Sequence, residues 1–497
     1  MLRLVAFMSV SDSPKVAFPL SVPVVGEATE VPPAHRPKAV SFRRFLPGIV
    51  LASVVAAATG APSFASSESD ADASPPGSAS EAAQVDAAFD AMVNDPADLE
   101  KTFHFAALAA RTGDLEGAVA ALERMLLLEP DLPRVKLELG VLYFRLGSYV
   151  VARRYLTEAV AGDRVPDEVR ARVAEYVAAV DAKLARHHVS GFSLFGARYQ
   201  SNANAGPSSP EVRLEGRTAA LEDRFTGQSD ADVFAAAGIE HRYDFRRVDG
   251  LKWVTDATLY ATRQRTQEQV NLALVEARTG PERGFGRAAV GDDGLLVRPY
   301  AKIEHVTLDD RIWYQGAGAG VGLRFRPSDR LEVSGGADVV RRRHRQDAEN
   351  PAADDRDGWV IRARLTGRHA LTGAFGLRLT AGAVRHELKA EYEKHDDVEL
   401  GAGLDYAFSD PSGFTHRRWT ASVGLNRLYS RYDAPDDTID PNRRRTQRAL
   451  SAEASLTVPL GERLAVVLSV GDRDVDASLP NFTNRNRWAS AAVAWSF

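Results

Sequence analysis

The chain has no cysteine among its 497 residues. This absence excludes a disulfide framework, a thiolate metal site and a lipid-attachment cysteine. Past its first 65 residues the chain also lacks an apolar run of the ~20 residues that a membrane-spanning helix needs. The net charge of −5 gives no indication of a nucleic-acid partner. If this protein crosses a membrane, it does so with strands.

The last twelve residues predict an amphipathic strand. Side chains alternate between the two faces of an extended strand, and one face here is apolar throughout, with Ala489, Ala491, Val493, Trp495 and Phe497. An outer-membrane barrel closes on such a strand, with aromatic residues at the bilayer interface. Trp495 and Phe497 are therefore the predicted membrane-insertion signal, with outer-membrane lipids and the barrel assembly machinery as partners. An edge strand of a soluble sandwich is the alternative.

Residues 1–65 have the pattern of a leader with a secretory signal. Arg43-Arg44 precedes a mainly apolar run from Phe45 to Ala58, and Ser63-Phe64-Ala65 provides a small-residue cleavage step. We predict that translation starts near Val40 and that the signal is of the Sec type, with a twin-arginine signal as the alternative. Residues 66–83 are mostly Ser, Asp, Ala and Pro, which predicts a flexible linker.

Residues 84–188 predict an all-α domain of the tetratricopeptide type. A 34-residue period relates Gly113 to Gly147, Ala118 to Ala152 and Leu122 to Leu156, which defines two copies, 97–130 and 131–164. The glycines fall where the turn between paired helices needs a positive φ. One more amphipathic helix, 166–187, would cap the stack. Stacked helix pairs of this type form a concave groove that usually holds a peptide or a partner protein. The alternative function for this domain is a rigid spacer or a dimerisation module.

Residues 189–497 predict an all-β transmembrane barrel of about 14 antiparallel strands. Most segments have the ten to fifteen residues that suffice for a tilted strand to cross the hydrocarbon. The predicted strands are 189–200, 232–245, 251–263, 269–278, 295–306, 312–326, 331–345, 359–371, 376–388, 398–408, 419–432, 447–460, 463–474 and 486–497.

The connections alternate in length, as they do in outer-membrane barrels, where the short turns are periplasmic. The tight connections are 246–250, 327–330, 372–375 and 461–462, and the longer ones include 201–231, 346–358, 389–397 and 433–446. Two connections depart from the pattern, because 279–294 is long for its side and 309–311 is short for its side. The expected location is the cell outer membrane, with the N-terminal domain in the periplasm.

Three short features carry a resemblance to a known family. They are Tyr199-Gln-Ser-Asn-Ala-Asn-Ala-Gly-Pro207, the Thr279-Gly280-Pro281 step and the terminal Phe497. Together with the order of repeats and then barrel, residues 97–497 resemble the surface lipoprotein assembly modulator family, known as Slam. The resemblance implies a fourteen-stranded translocon that passes a client protein to the cell surface. Such clients are typically lipoproteins or small haem- or metal-capturing proteins.

The candidate site residues are polar or cationic. Ser201, Asn202 and Asn204 favour turns, so they either fix the first long loop or contact the client at the barrel mouth. Two arginine clusters are predicted to bind lipopolysaccharide phosphates through bidentate contacts, or to be solvated rim or lumen charges. These clusters are Arg341, Arg342 and Arg343 in one strand and Arg443, Arg444 and Arg445 near another.

Other constellations point to no chemistry. No nucleophile elbow, phosphate loop or zinc-binding His pair occurs in the sequence, so we predict no enzyme, no cofactor and no metal. Acidic pairs such as Asp396-Asp397 do not have the spacing of a calcium loop. The glycines from Gly316 to Gly322 alternate in a strand and predict small lumen-facing residues. The favoured function is a protein translocon, and the alternatives are a passive or gated pore for solutes and a polysaccharide exporter.

Overall fold

The computed structural model describes residues 79–162, 165–247, 249–285, 294–347 and 350–497. The predicted leader, its signal and most of the predicted linker lie outside these residues. Contacts divide the described chain into a helical unit that ends at Arg186 and a barrel unit that begins at His187.

The described part of the helical unit contains six helices, two repeat pairs flanked by one helix on each side. Their bounds are α1 Ala79–Asn94, α2 Leu99–Thr112, α3 Leu115–Leu128, α4 Pro133–Arg145, α5 Tyr149–Ala159 and α6 Asp167–Leu184. The two predicted repeats correspond to α2 with α3 and to α4 with α5, and α6 is the predicted final helix. Helix α1 was not predicted by the repeat period, although Ala88 and Met92 on it are buried in the core.

Local sequence signals set the ends and spacing of these helices. The Asp98 carboxylate accepts hydrogen bonds from the backbone N–H groups of the first turn of α2. Gly113 and Gly147 have φ values of +94° and +76°, as predicted for the turns between paired helices. A Cβ on Gly140 would lie 2.6 Å from Cγ of Leu156, so only glycine lets α4 approach α5 this closely.

None of the described helices is long and apolar enough to span a bilayer.

The barrel unit is a closed antiparallel sheet of fourteen strands, as predicted. The barrel strands are β1 His187–Gln200, β4 Asp230–Asp244, β5 Lys252–Gln264, β6 Leu272–Phe285, β7 Gly294–Leu308, β8 Arg311–Ser328, β9 Leu331–His344, β10 Gly358–Ala370, β11 Phe375–Leu388, β12 His395–Ser409, β13 Arg418–Pro435, β14 Arg444–Pro459, β15 Leu464–Ala477 and β16 Asn484–Ser496. Each strand pairs with its neighbours in sequence, and β1 closes the barrel by pairing with β16 from Phe192↔Ser496 to Gln200↔Trp488.

Side chains alternate between an apolar outer face and a polar interior. On β12, Val398 and Leu400 are exposed on the outside, whereas Asp397 and Glu399 are buried inside. On β16, Val493 and Trp495 are exposed and Trp488 is buried, so the predicted apolar face of the last strand is the outer one. This inverted pattern is the one that transmembrane barrels have, because lipid replaces the core on the outside.

The predicted connection 279–294 is wrong in its first half, because β6 continues to Phe285. Gly280 lies within this strand, where a Cβ would meet the backbone oxygen of Pro299 at 2.0 Å. Pairing of β6 with β7 is interrupted between Thr279 and Arg283, and this interruption accommodates Pro281, which has no N–H to donate. The Thr-Gly-Pro step therefore marks a close strand contact rather than a turn.

Two other connections also have definite structures. Asp309 and Asp310 form the short turn between β7 and β8 with φ values of 52° and 57°, the conformation that a two-residue hairpin turn requires. The first long connection, 201–229, contains a small hairpin of its own, β2 Glu211–Leu214 with β3 Arg217–Ala220. This hairpin was not predicted.

Candidate functional site

The barrel has two distinguishable ends. The long-loop end carries connections 201–229, 345–357, 389–394, 436–443 and 478–483, together with the two-residue turn at Asp309 and Asp310. The turn end carries connections 245–251, 329–330, 371–374, 410–417 and 460–463, together with the start of β1 and the end of β16. The candidate site is the lumen and the long-loop end, because that is where buried polar side chains meet loops that are hydrogen-bonded to one another.

The first long connection is tied to two other loops of the long-loop end. The Arg213 guanidinium lies 3.0 Å from the buried Asp440 carboxylate. The Arg213 backbone N–H donates to the Asn481 side chain at 2.9 Å, and the Asn481 amide donates back to the Arg213 carbonyl at 2.9 Å. Glu215 N–H donates to the Thr438 carbonyl at 3.0 Å. We call these three connections, 201–229, 436–443 and 478–483, the loop cap.

Ser201, Asn202 and Asn204 lie at the start of the loop cap, and they fold it. Asn202 and Asn204 are 4% and 5% exposed. The Asn202 side chain both donates to and accepts from the backbone of Gly206, at 2.8 and 2.9 Å. Asn204 accepts from Gln228 N–H at 2.8 Å, which ties the start of the connection to its end. The Ser201 hydroxyl accepts from Arg487 N–H at 2.8 Å.

These contacts show that the Ser-Asn-Ala-Asn stretch fixes the first long loop, which is one of its two predicted roles. The side-chain amides satisfy backbone groups that would otherwise be buried without partners. A Cβ on Gly227 would lie 2.9 Å from the Asn202 side chain, so the two ends of the loop are closely packed. Direct contact of Asn202 or Asn204 with a client stays a prediction.

The lumen between β7 and β10 is lined by a network of buried ion pairs. Glu304 lies 3.0 Å from Lys302, 2.9 Å from Arg342 and 2.5 Å from Arg362. Arg362 also contacts Asp338 at 2.7 Å. These charges come from three different strands, β7, β9 and β10, and each has an opposite charge within contact distance, as buried charges require. Sequence reasoning missed this network, because only the strand register brings its members together.

Small residues on β8 make room for this network. A Cβ on Gly316 would lie 3.3 Å from the Glu304 carboxylate, and one on Gly320 would lie 2.7 Å from the Tyr300 ring. The predicted lumen-facing role of these glycines is confirmed, and the reason is steric. Similar pairs continue around the lumen, with Arg198 at 3.0 Å from Asp232 and Arg298 at 2.6 Å from Asp256.

Side chains alternate between the two faces of a strand, so each predicted arginine cluster is split between the lumen and the outer face. Arg342 is buried in the lumen network, which matches the alternative of a lumen charge. Its neighbours Arg341 and Arg343 are exposed on the outer face. Arg445 is likewise inside, with its guanidinium carbon 4.5 Å from the Tyr432 ring centroid and 3.4 Å from that of Phe482.

A lipopolysaccharide site can therefore include four of the six predicted arginines. These four are Arg341, Arg343, Arg443 and Arg444, all exposed. Lipid binding by them stays a prediction.

Aromatic residues surround the turn end on the outer face. Trp495 is 43% exposed and stacks on Phe497 with ring centroids 4.9 Å apart. Phe375 stacks on Tyr406 at 4.6 Å, and Trp419 lies nearby on β13. Aromatic side chains at this level are typical of the membrane interface. The role of Trp495 and Phe497 as an insertion signal stays a prediction.

No family model and no curated protein matches the sequence. Among solved structures, the chain is similar to the Yersinia enterocolitica type III secretion chaperone SycD in complex with a peptide of the translocator YopD. That match has 16% identity, covers 21% of this chain and 83% of that one, and has a TM-score of 0.20.

Two barrels are similar to the other unit. A bacterial polysaccharide outer membrane secretin matches with 10% identity over 62% of this chain and 98% of that one, with a TM-score of 0.33. The Vibrio cholerae outer membrane protein OmpT with loop L8 deleted matches with 9% identity over 63% and 100%, with a TM-score of 0.31. All three scores are below 0.5, so the fold assignment depends on the strand pairing and helix order of this chain itself.

Proposed function

We propose that this protein is an outer-membrane translocon that delivers a partner protein to the cell surface. The observation that carries the proposal is a closed barrel with an apolar outside and a charged inside, preceded in the chain by helix pairs of the tetratricopeptide type. A barrel with an apolar outside suits a lipid environment. Helix pairs of the tetratricopeptide type form surfaces that hold peptides and proteins.

The sequence resemblance to the Slam family supports the same function. The Ser-Asn-Ala-Asn stretch that carries most of the resemblance lies at the long-loop end, where a client would leave the barrel. Both ends of the barrel sheet lie at the turn end, so a periplasmic turn end would place the chain entry from the helical unit in the periplasm. The client in this proposal is a lipoprotein or a small secreted protein.

The test is to remove the helical unit while keeping the signal and the barrel. Residues 84–186 are deleted, and the surface proteins of the deletion strain and the wild type are compared after protease treatment of intact cells. We expect the barrel to assemble and one or a few proteins to disappear from the surface and accumulate in the periplasm. Barrel assembly is checked by the mobility difference between unheated and boiled samples.

Other outcomes would replace the proposal. An unchanged surface proteome with reduced solute uptake would favour a passive or gated pore. Loss of a matrix polysaccharide with a normal surface proteome would favour an exporter. Asn202→Ala with Asn204→Ala provides a second test: normal assembly with lost client display would support a client contact at the loop cap, whereas failed assembly would support a structural role alone.

A further inference from the structure

Two histidines and one aspartate meet inside the barrel near the long-loop end. His386 on β11 and His395 on β12 are directly opposite each other in the strand register, and their rings stack with centroids 3.9 Å apart and planes 10° apart. Asp397 is two residues further along β12, so it faces the same side as His395. All three residues are buried, at 8%, 2% and 7% exposure.

The donor atoms of these side chains converge. Nε2 of His386 lies 3.6 Å from Oδ2 of Asp397, and Nε2 of His395 lies 3.8 Å from the same oxygen. One donor atom from each residue lies within 4.8 Å of the other two. Ligand atoms on a tetrahedral zinc ion, with bonds of about 2.0–2.1 Å, are about 3.3 Å apart. The donor atoms here are slightly further apart than that, and because the two imidazole planes are nearly parallel, the rings must tilt towards each other for their in-plane lone pairs to meet at one ion.

The second nitrogen of His395 is already engaged. Nδ1 of His395 lies 2.7 Å from the backbone carbonyl oxygen of Glu393. Because a carbonyl only accepts, Nδ1 carries the proton in this contact, so Nε2 is the ring nitrogen that would bind a metal. Metal-binding histidines commonly have their other ring N–H donated to a carbonyl in this way. The ring is also held by Tyr432, which stacks on it with centroids 4.5 Å apart.

The charges around the site are one ion pair and two buried arginines. Glu393 is paired with Arg356 at 3.0 Å, so these two charges largely compensate each other. The Arg445 guanidinium packs between Tyr432 and Phe482. Arg445 and the buried Arg473 both interact electrostatically with Asp397, so a bound cation has to compete with them for this carboxylate. Two neutral imidazoles and one carboxylate form a donor set that divalent transition metals prefer over magnesium or calcium.

We propose that His386, His395 and Asp397 bind a divalent transition metal of the zinc class, with the remaining coordination position open to water or another ligand. The ion would join β11 to β12 beneath the 389–394 connection. This site was not predicted from the sequence, because the histidines are nine positions apart, which is not the spacing of a zinc-binding His pair on a helix. The proposal does not depend on the translocation proposal, and translocation can fail while the metal binds.

The experiment is a metal titration of the full mature chain, purified in detergent without a histidine tag and stripped with a chelator. Co²⁺ is the probe, since its visible absorption reports a site with few ligands, and Zn²⁺ is then added as competitor. We expect one equivalent of Co²⁺ to bind and Zn²⁺ to displace it. His386→Ala, His395→Ala and Asp397→Asn should each weaken binding by more than about tenfold.

A matched control is present at the opposite end of the barrel. His187 and His241 are also adjacent, with Nδ1 and Nε2 3.0 Å apart, but among the residues that the structure describes no carboxylate completes a three-residue donor set with them. His241→Ala should leave Co²⁺ binding unchanged. Absence of the Co²⁺ spectrum in the wild type, or wild-type affinity for Co²⁺ in all three site variants, would overturn the proposal.

Correct folding of each variant is checked by its heat-dependent gel mobility. If a histidine variant does not fold, the wild-type titration and Asp397→Asn still decide the question. As a second readout, Zn²⁺ should raise the denaturant midpoint of the wild type and of His241→Ala but not that of Asp397→Asn. Equal shifts in all three proteins would show that Zn²⁺ acts elsewhere.

Discussion

Replacing Leu425 by Arg tests which medium surrounds the barrel. Leu425 is 58% exposed on the outer face, and it lies between the aromatic residues Trp419 and Tyr429 of the same strand. Its register partners Ala402 and Ala452 are small and apolar, so no counter-charge is available. An arginine at the centre of a lipid-facing band costs roughly 2–4 kcal/mol, which corresponds to a roughly 30- to 700-fold loss in the folding equilibrium.

The neighbouring residue provides the control for this substitution. Asn426 faces the lumen and donates to the Glu399 carboxylate, so Asn426→Arg keeps a donor beside that acceptor. The assay is urea unfolding of the purified chain refolded into lipid vesicles, followed by tryptophan fluorescence and by heat-dependent gel mobility. Leu425→Arg should lower the unfolding free energy by the stated amount, and Asn426→Arg should change it far less. Equal effects of the two substitutions, or no effect of Leu425→Arg, would refute a lipid-facing outer surface.

Three further predictions concern the helical unit and the lumen. Gly140→Ala should destabilise the helical unit by about 1–3 kcal/mol, because the new Cβ would overlap Leu156, and the helical signal in circular dichroism should melt earlier. Burial, and then the hydrogen bond to Glu123, raises the pKa of Tyr143 to about 12 from an ordinary value of 10.0. The stability that its protonated hydroxyl contributes is therefore present below pH 10 and is lost as the pH rises towards 12, so Tyr143→Phe should flatten this alkaline loss in thermal melts. Glu304→Gln should lower the free energy of unfolding in urea by about 3–5 kcal/mol, because it leaves several buried cations without their shared carboxylate. An unchanged urea midpoint would show that the network is solvated.

The sequence was sufficient to predict the architecture, because both units have strong periodic patterns. A 34-residue repeat with glycine at Gly113 and Gly147 defined the helix pairs, and alternation of apolar and polar residues defined fourteen strands. The terminal strand was predicted with its correct outer face, since Val493 and Trp495 alternate with smaller or polar residues. Such patterns are local, and local patterns can be found by inspection.

The parts that were missed depend on contacts between distant residues. Glu304 and Arg342 are on different strands, and His386 meets His395 only because β11 and β12 pair in one register. The arginine clusters illustrate the same limit, because Arg342 and Arg445 are adjacent in sequence to exposed arginines but face inwards. The Gly280-Pro281 pair was interpreted as part of a connection, because glycine and proline favour turns. In the structure Gly280 instead allows a close backbone contact within a strand, and the sequence alone does not distinguish these two cases.

The most direct test of the central claim is the electrophoretic mobility of the mature protein extracted from outer membranes. A closed barrel with an apolar outside should require detergent for extraction, and the unheated sample should run faster than the boiled one, because the hydrogen-bonded barrel stays folded in the gel. A protein that is soluble without detergent, with one mobility before and after boiling, would contradict the account.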